Sequence, residues 1–348
     1  MRKNKFGIQL KEYLEYNNIS NNDFSERINT TPKNLIDIIK GDVELSQNMI
    51  YNISFITEIP VSYIENVELN FRLDNTINNY LEKNNLTIKQ FINKFSYKEF
   101  SKEYQVKFTD ERNDIWIAKD IMKYLRITNP ETLYKQDNSI FYKSKNDKPE
   151  LLSLWLERCY KVVSKQEVNK YNKDNINILV NYIKDCASKN LFNKNELIKQ
   201  FNENGIFLAI ENDLKGSKIR GAFKVLNDKP AIYITKKYKR YADIYFALLH
   251  ELAHCKSDFN RAKSGSIVSI EDEFDKEEYE LKADKTALNW MINDKEYELI
   301  KNEYNDIDNL NVVKSFYVYR LAKDKIIDYS SKLYQENNKL LDINEENL

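Results

Sequence analysis

The sequence predicts an α+β fold that is mostly helical, and three observations predict it. The 348 residues include only 6 Gly and 5 Pro, too few turn formers for a chain of many short strands. Apolar residues recur at helical spacing along most of the length. One window, 205–235, instead carries short runs rich in β-branched and aromatic residues. A hydrophobic content of 42% against 31% charged is enough for a real core, and the length suits two or three domains.

Residues 1–70 read as an N-terminal bundle of five short helices. Apolar spacing places them at Ile8–Tyr16, Asp23–Ile28, Pro32–Ile39, Asn48–Thr57 and Val61–Glu68. Ser20 and Asn22 lie just before the second helix, and Thr31 can cap the third with Pro32 at its first position. Gly41 stops the third helix, and Pro60 separates the last two. Residues 71–199 read as a helical connector, with helices at Ile77–Leu86, Ile115–Leu125, Glu150–Val163 and Ile176–Lys189 and a looser stretch near 136–149.

Residues 200–337 read as a third region. Runs at 205–210, 218–226 and 231–235, separated by turns at 215–217 and 227–230, predict a small antiparallel sheet. Helical patterns follow at Tyr241–Asp258, Glu277–Met291 and about 294–337, and 338–348 reads as a polar tail.

Lys and Arg total 54 and Asp and Glu total 54, so gross charge favours neither a nucleic acid nor a membrane as partner. The three cysteines, Cys159, Cys186 and Cys255, make no disulfide framework and suit a reducing compartment. No apolar signal core follows Met1–Gly7 and no stretch approaches a membrane span. The expectation is a cytoplasmic protein with no membrane partner.

His250-Glu251-Leu252-Ala253-His254 is an H-E-x-x-H motif. It holds both histidines of the chain. Residues four apart share a helix face, so both imidazoles can reach one Zn2+ ion. Glu251 points about 100° away and can touch a metal-bound water as a general base without ligating. Zinc chemistry needs a third protein ligand. The metzincin pattern would want glycine at 257 and histidine at 260, where the chain has Ser257 and Asn260. A carboxylate is therefore expected, from Asp272, Glu273, Asp275, Glu277, Glu278 or Glu280. Glu280 stands out because it opens Glu280-Leu281-Lys282-Ala283-Asp284 on a helix whose Ala283 and Ala287 permit close approach. Asp284, one turn on, can accept a hydrogen bond from the far nitrogen of a ligand histidine. Cys255 faces away from the ligands and reads as a packed thiol. Arg320 and nearby tyrosines are the candidates for stabilising an oxyanion.

With those residues in hand, 200–330 resembles the ImmA/IrrE family of metallopeptidases. The resemblance rests on a sheet, then His250–His254, then the Glu280–Asp284 helix, with Ile219-Arg220-Gly221-Ala222-Phe223 and Val318-Tyr319-Arg320-Leu321 as weaker pieces. It implies a gluzincin-like zinc peptidase domain with the small sheet beside the metal helix. The helix end at Thr286-Ala287 and Trp290-Met291-Ile292 departs from the family's pattern. Residues 7–69 resemble an Xre/Cro-type helix-turn-helix of the HigA-like kind, through Leu10, Leu14, the stretch 23–28, Thr31, Leu35 and the stretch 38–41. Ser25 stands where a small residue packs the helix pair, and Asn29 where the turn asks for positive φ. Phe141–Ser144 and Leu154–Arg158 resemble segments that join two such domains.

The resemblance implies a zinc metalloendopeptidase joined to a DNA-binding module. Its protein substrate would be an Xre-type repressor, whose cleavage derepresses phage, mobile-element or stress genes. Operator DNA would meet Thr30, Thr31, Lys33, Asn34 and Lys40 of the third helix. Against that, residues 1–72 hold eight Lys or Arg and ten Asp or Glu, where a basic footprint is usual. The alternative is an antitoxin-like or autoregulating transcriptional regulator whose metal domain senses or scaffolds. The sequence leaves a homodimer open.

Overall fold

The computed structural model describes residues 5–136, 148–270 and 277–341. The chain divides into two compact units, Met1–Ile92 with Thr109–Glu131 and Asn93–Phe108 with Thr132–Leu348. It is mostly helical, with one small sheet, and among the described residues no helix is long and apolar enough to cross a membrane.

The chain begins with α1 (Lys5–Tyr16), α2 (Asn21–Arg27), α3 (Pro32–Lys40), α4 (Gln47–Thr57) and α5 (Val61–Lys83). Ser20 accepts from the Asp23 N–H to cap α2, Thr31 accepts from the Asn34 N–H to cap α3, and Gly41 ends α3 at φ 79°. Asn29 takes φ 54° in the turn between α2 and α3. A Cβ on Gly7 would lie 2.3 Å from the Ile39 carbonyl oxygen, so α1 rests directly on the end of α3. Phe6, Leu10, Phe24, Leu35, Ile53 and Ile64 fill the space between these helices.

The expected helices at 61–68 and around 77 are one. Residues 69–76 contain neither Gly nor Pro, Phe71 is buried, and Glu68 accepts from Arg72 Nε and from the Leu45 N–H. Nothing stops the helix, and the boundary expected at residue 70 falls inside it. Next come α6 (Ile88–Lys94), α7 (Tyr97–Tyr104), α8 (Asp114–Tyr124) and α9 (Glu131–Gln136).

The second unit continues with α10 (Pro149–Val163), α11 (Ile176–Ser188) and α12 (Lys194–Glu203), then β1 (Phe207–Glu211), β2 (Ile219–Leu226) and β3 (Lys229–Thr235). After these come α13 (Tyr241–Ser257), α14 (Phe259–Ala262), β4 (Ile267–Ile270) and α15 (Glu278–Met291). Strand order is β1-β3-β2-β4. The β2–β3 and β2–β4 pairs are antiparallel, but β1 pairs with β3 in parallel. The sheet is thus mixed, and the purely antiparallel expectation is corrected. Strand alternation gives direction but not order. The chain reverses twice between β1 and β3, so once β3 inserts between β1 and β2 the neighbours run the same way. Successive side chains alternate faces. Ala209, Ala231 and Tyr233 face Trp155 and Cys159 of α10, while Leu208, Ile232 and Ile234 join the larger core with α11 and α13.

The single pattern expected over 294–337 is broken into α16 (Asp294–Ile300), a 3₁₀ turn at Tyr304–Asn309, α17 (Lys314–Lys323) and α18 (Lys332–Asn337). The polar tail expected from 338 does not begin there. Leu341 N–H donates to the Lys239 carbonyl at 2.7 Å, and Tyr241 N–H donates to that of Lys339 at 3.3 Å. Arg240, at the N-cap of α13, provides no side-chain cap. Asn338 provides it from the far end of the sequence: its Oδ1 accepts from the Ala242 N–H at 2.9 Å, and its Nδ2 donates to Asp243 Oδ2 at 2.9 Å. Asn338 is fully buried, because a capping amide works only where it meets the helix end. Residues 342–348 of the expected tail lie outside the described residues.

Replacing the cap tests its contribution. Asn338→Ala should cost about 1–3 kcal/mol, from the lost cap and the polar groups left unpaired, read as a lower denaturant midpoint. An unchanged midpoint would show that the segment merely lies against the helix.

Candidate metal centre

Helix α13 contains no Gly or Pro, and its residues from Tyr241 to Cys255 are almost all buried. The four-residue spacing puts His250 and His254 on one side, with exposures of 3% and 0%. Glu280 enters from the first turn of α15 and is 4% exposed. Ala283 and Ala287, one and two turns on, are buried against α13, as small residues at a close helix contact must be. The ligand atoms of His250, His254 and Glu280 lie within 4.8 Å of one another, a grouping suited to one metal ion. Glu277 and Glu278 are exposed. Asp272, Glu273 and Asp275 lie outside the described residues.

The far side of each imidazole fixes its chemistry. His250 Nδ1 is 2.8 Å from Asp284 Oδ1, and His254 Nδ1 is 3.0 Å from Asp258 Oδ2. An ionised carboxylate only accepts, so each Nδ1 carries the proton and each neutral ring presents an Nε2 lone pair. Those two Nε2 atoms are 3.1 Å apart. Glu280 Oε2 lies 3.1 Å from His250 Nε2, and Glu280 Oε1 lies 3.1 Å from His254 Nε2. Two ring nitrogens and both Glu280 oxygens therefore converge in a buried place where the nearest hydroxyl, Ser269 Oγ, lies 3.1 Å from His250 Nε2 but has one hydrogen, which it directs to Glu251 Oε1 at 2.9 Å. A cation or a proton between them would satisfy the acceptors.

In the metal-free chain a proton takes that part. Burial pulls the His254 pKa down, but the bonds to Asp258 and Glu280 outweigh it and raise it to about 10. His250 is raised in the same way, by Asp284 and Glu280 against burial. Burial lifts the Glu280 carboxyl, yet its bonds to the two histidines bring it well below the ordinary carboxylate range. The raised His254 value stabilises the metal-free fold fully below about pH 6.5, the unperturbed value. That stabilisation is lost as pH rises through about 10.

Glu251 is buried beside the ligands but outside the group that converges. Its Oε1 accepts from Ser269 Oγ at 2.9 Å, and its Oε2 is buried without a hydrogen-bond partner among the described residues. Burial raises its pKa, which suits a group that takes up a proton. The carboxylate lies against the backbone of β2, where a Cβ on Gly221 would come 2.5 Å from Glu251 Oε1. Glycine at that position makes room for the Glu251 carboxylate.

Sequence reasoning missed three of these residues. Asp258 sits four after His254, and helical spacing alone could have shown it one turn below the ligand. Ser269 lies on β4, a strand too short to register as a pattern. Gly221 was visible only as part of the strand.

Cys255 is a packed thiol: it is fully buried, donates to Tyr171 Oη at 3.4 Å, and burial pushes its pKa up to about 12. Arg320 does not fit an oxyanion role. Its Nη1 donates to the Leu288 and Ile292 carbonyls and its Nη2 pairs with Asp294 at 3.0 Å, closing the C-terminal end of α15. Leu288 lies eight residues from Glu280, about 12 Å along the helix.

The five residues expected to meet DNA lie on or beside α3. Thr31 is occupied as the cap, and Asn34 Nδ2 donates to Thr30 Oγ1 at 2.8 Å. Lys33 and Lys40 are exposed.

Among known proteins, no family model, no curated protein and no solved structure matches the chain.

The donor set makes a selective prediction. Purified protein should hold about one zinc per chain, the number a single three-ligand site takes. Glu280→Gln should weaken zinc binding far more than Glu277→Gln, measured by competition with a chromophoric chelator. Equal losses in the two variants would remove Glu280 from the ligand set.

Proposed function

We propose that this protein is a zinc-dependent endopeptidase of the ImmA/IrrE type, joined to an Xre-type helix-turn-helix domain. The observation that carries the reading is the pair of Nε2 lone pairs 3.1 Å apart, each facing a Glu280 oxygen and each backed by a carboxylate on Nδ1. Two imidazoles and one carboxylate, with outer carboxylates fixing the tautomers, are the donor set and support typical of catalytic zinc. The His250–His254 motif followed by the Glu280–Asp284 helix supports the likeness to that family.

When bound there, zinc would polarise a scissile carbonyl and lower the pKa of a water. The chain's own residues supply the proton handling. Ser269 holds Glu251 Oε1, which leaves Oε2 to take a proton from the attacking water and pass it to the leaving amine. Asp284 and Asp258 keep the histidines in the ligating tautomer. A protein substrate suits β4, one of the two edge strands of the described sheet and the one that carries Ser269 beside Glu251. An extended segment can pair along such an edge. By the resemblance, the substrate is an Xre-type repressor, and its loss switches genes on.

Glu251→Gln keeps shape and removes the base. Zinc content and thermal stability should stay near wild type, while cleavage of repressors encoded beside this gene falls by about 10²-fold or more. Cleavage that persists in the variant would assign proton transfer elsewhere. A wild type that holds zinc and cuts none of these repressors would favour a regulator that uses the metal as a scaffold.

For the N-terminal unit, Lys33 and Lys40 are the exposed cations of α3. The full chain should retard its own upstream DNA in a salt-sensitive way, because phosphate contacts release counterions. Lys33→Glu combined with Lys40→Glu should weaken that binding. No retardation by wild type at low salt would leave these helices as a protein-docking module.

A further inference from the structure

We infer that Arg220 determines specificity by receiving a carboxylate on the substrate residue that flanks the scissile bond. The inference rests on the peptidase reading and names the kind of residue beside the bond to be cut.

Strand β2 is irregular where Arg220 sits. Its pairing with β4 shifts register between Ile219 and Gly221. Ile219 and Ala222 pack with Trp155 and Tyr233 on the α10 side of the sheet. Gly221 lies against Glu251, and Phe223 joins the core with α13 on the other side. In a regular strand residues 219 and 221 would share a face, so the alternation slips by one at Arg220. A β-bulge of this kind re-aims a side chain. Here it turns the guanidinium towards α13, where Arg220 Cζ lies 5.4 Å from the centre of the Phe246 ring.

Phe246 precedes His250 by one turn, on the face of α13 that carries both histidines. Its ring centre lies 6.0 Å from that of His250. A substrate side chain next to the metal centre on that side would rest its stem on Phe246 and bring its end to Arg220.

The guanidinium is set for a carboxylate. Arg220 Nε donates to Tyr238 Oη at 3.1 Å, which fixes the plane of the group. Among the described residues neither Nη has a hydrogen-bond partner, and neither is sealed from solvent. That leaves the fork of Nη1 and Nη2, which matches the two oxygens of a carboxylate. Lys323 Nζ lies 4.9 Å from the centre of the same Phe246 ring and adds a second positive charge. Asp284 is the carboxylate that bears on Arg220, and it already accepts from His250 Nδ1 at 2.8 Å. An acidic side chain therefore gains a charged partner here that a neutral one does not.

The test uses the full, zinc-loaded chain and two small ligands, the α-hydroxamates of N-acetyl-glutamate and N-acetyl-glutamine. Both offer the same group to the open position of a catalytic zinc, and they differ only in carboxylate against amide. Neither needs to be cleaved. Calorimetry at up to millimolar ligand should show the glutamate form binding wild type about tenfold or more tightly, the worth of a bond to a charged group. Arg220→Gln should remove that preference, Arg220→Lys should keep part of it, and zinc content should match wild type in both. Equal affinity of the two ligands for wild type would overturn the inference without recourse to any variant. So would an Arg220→Gln protein that loses affinity for both ligands equally, which would place the guanidinium at the reacting atoms instead. If neither ligand binds the zinc-loaded wild type, the peptidase reading itself fails and takes the inference with it.

Discussion

Two imidazole lone pairs facing each other across 3.1 Å, with a buried carboxylate against both, form the constraint that most of the second unit answers to. Left alone, such an arrangement is unfavourable, because acceptors meet acceptors out of reach of water. It persists because each ring is held from behind. Asp284 and Asp258 hold the Nδ1 protons, and α13 and α15 pack against each other. A cation in the middle turns this electrostatic liability into a bound state. In its absence the carboxylates beside them raise both histidines above their usual value, His254 to about 10.

The rest of the unit serves to keep α13 and α15 in register. Alanines at 283 and 287 allow the close approach, and Arg320 ties off the far end of α15 by bonding its last carbonyls. The sheet brings Ser269 to one carboxylate oxygen of Glu251, and Gly221 yields the room that carboxylate occupies. At the near end, α13 starts without a cap of its own and borrows one from Asn338, some hundred residues later in the chain. Helix α13 is therefore held at its N-terminal end and along its length by segments distant in sequence.

Much of the ligand geometry was legible because it is local. An α-helix sets residues four apart on one side whatever surrounds it, so His250 and His254 could be paired from spacing alone. Glu280 needed more, and it was reached through the alanines that share its helix. What escaped was set by tertiary placement. Nothing in the runs at 205–235 states that β3 lies between β1 and β2, so the parallel pair was not foreseen. A four-residue strand such as β4 gives too short a pattern to read. The breaker-free stretch 69–76 permits one long α5, but the apolar spacing within it does not by itself distinguish one helix from two. Asn338 reads as one more polar residue near the end of the chain, and only the folded contact makes it a cap.

Two imidazole nitrogens and one carboxylate are proposed to hold a single metal ion, and X-ray absorption at the zinc edge of zinc-loaded protein tests that most directly. The predicted spectrum has imidazole nitrogens at about 2.0–2.1 Å and a carboxylate oxygen at about 2.0–2.2 Å, with no sulfur shell. Sulfur scattering near about 2.3 Å, or a zinc environment lacking the outer-shell signature of two imidazoles, would contradict it.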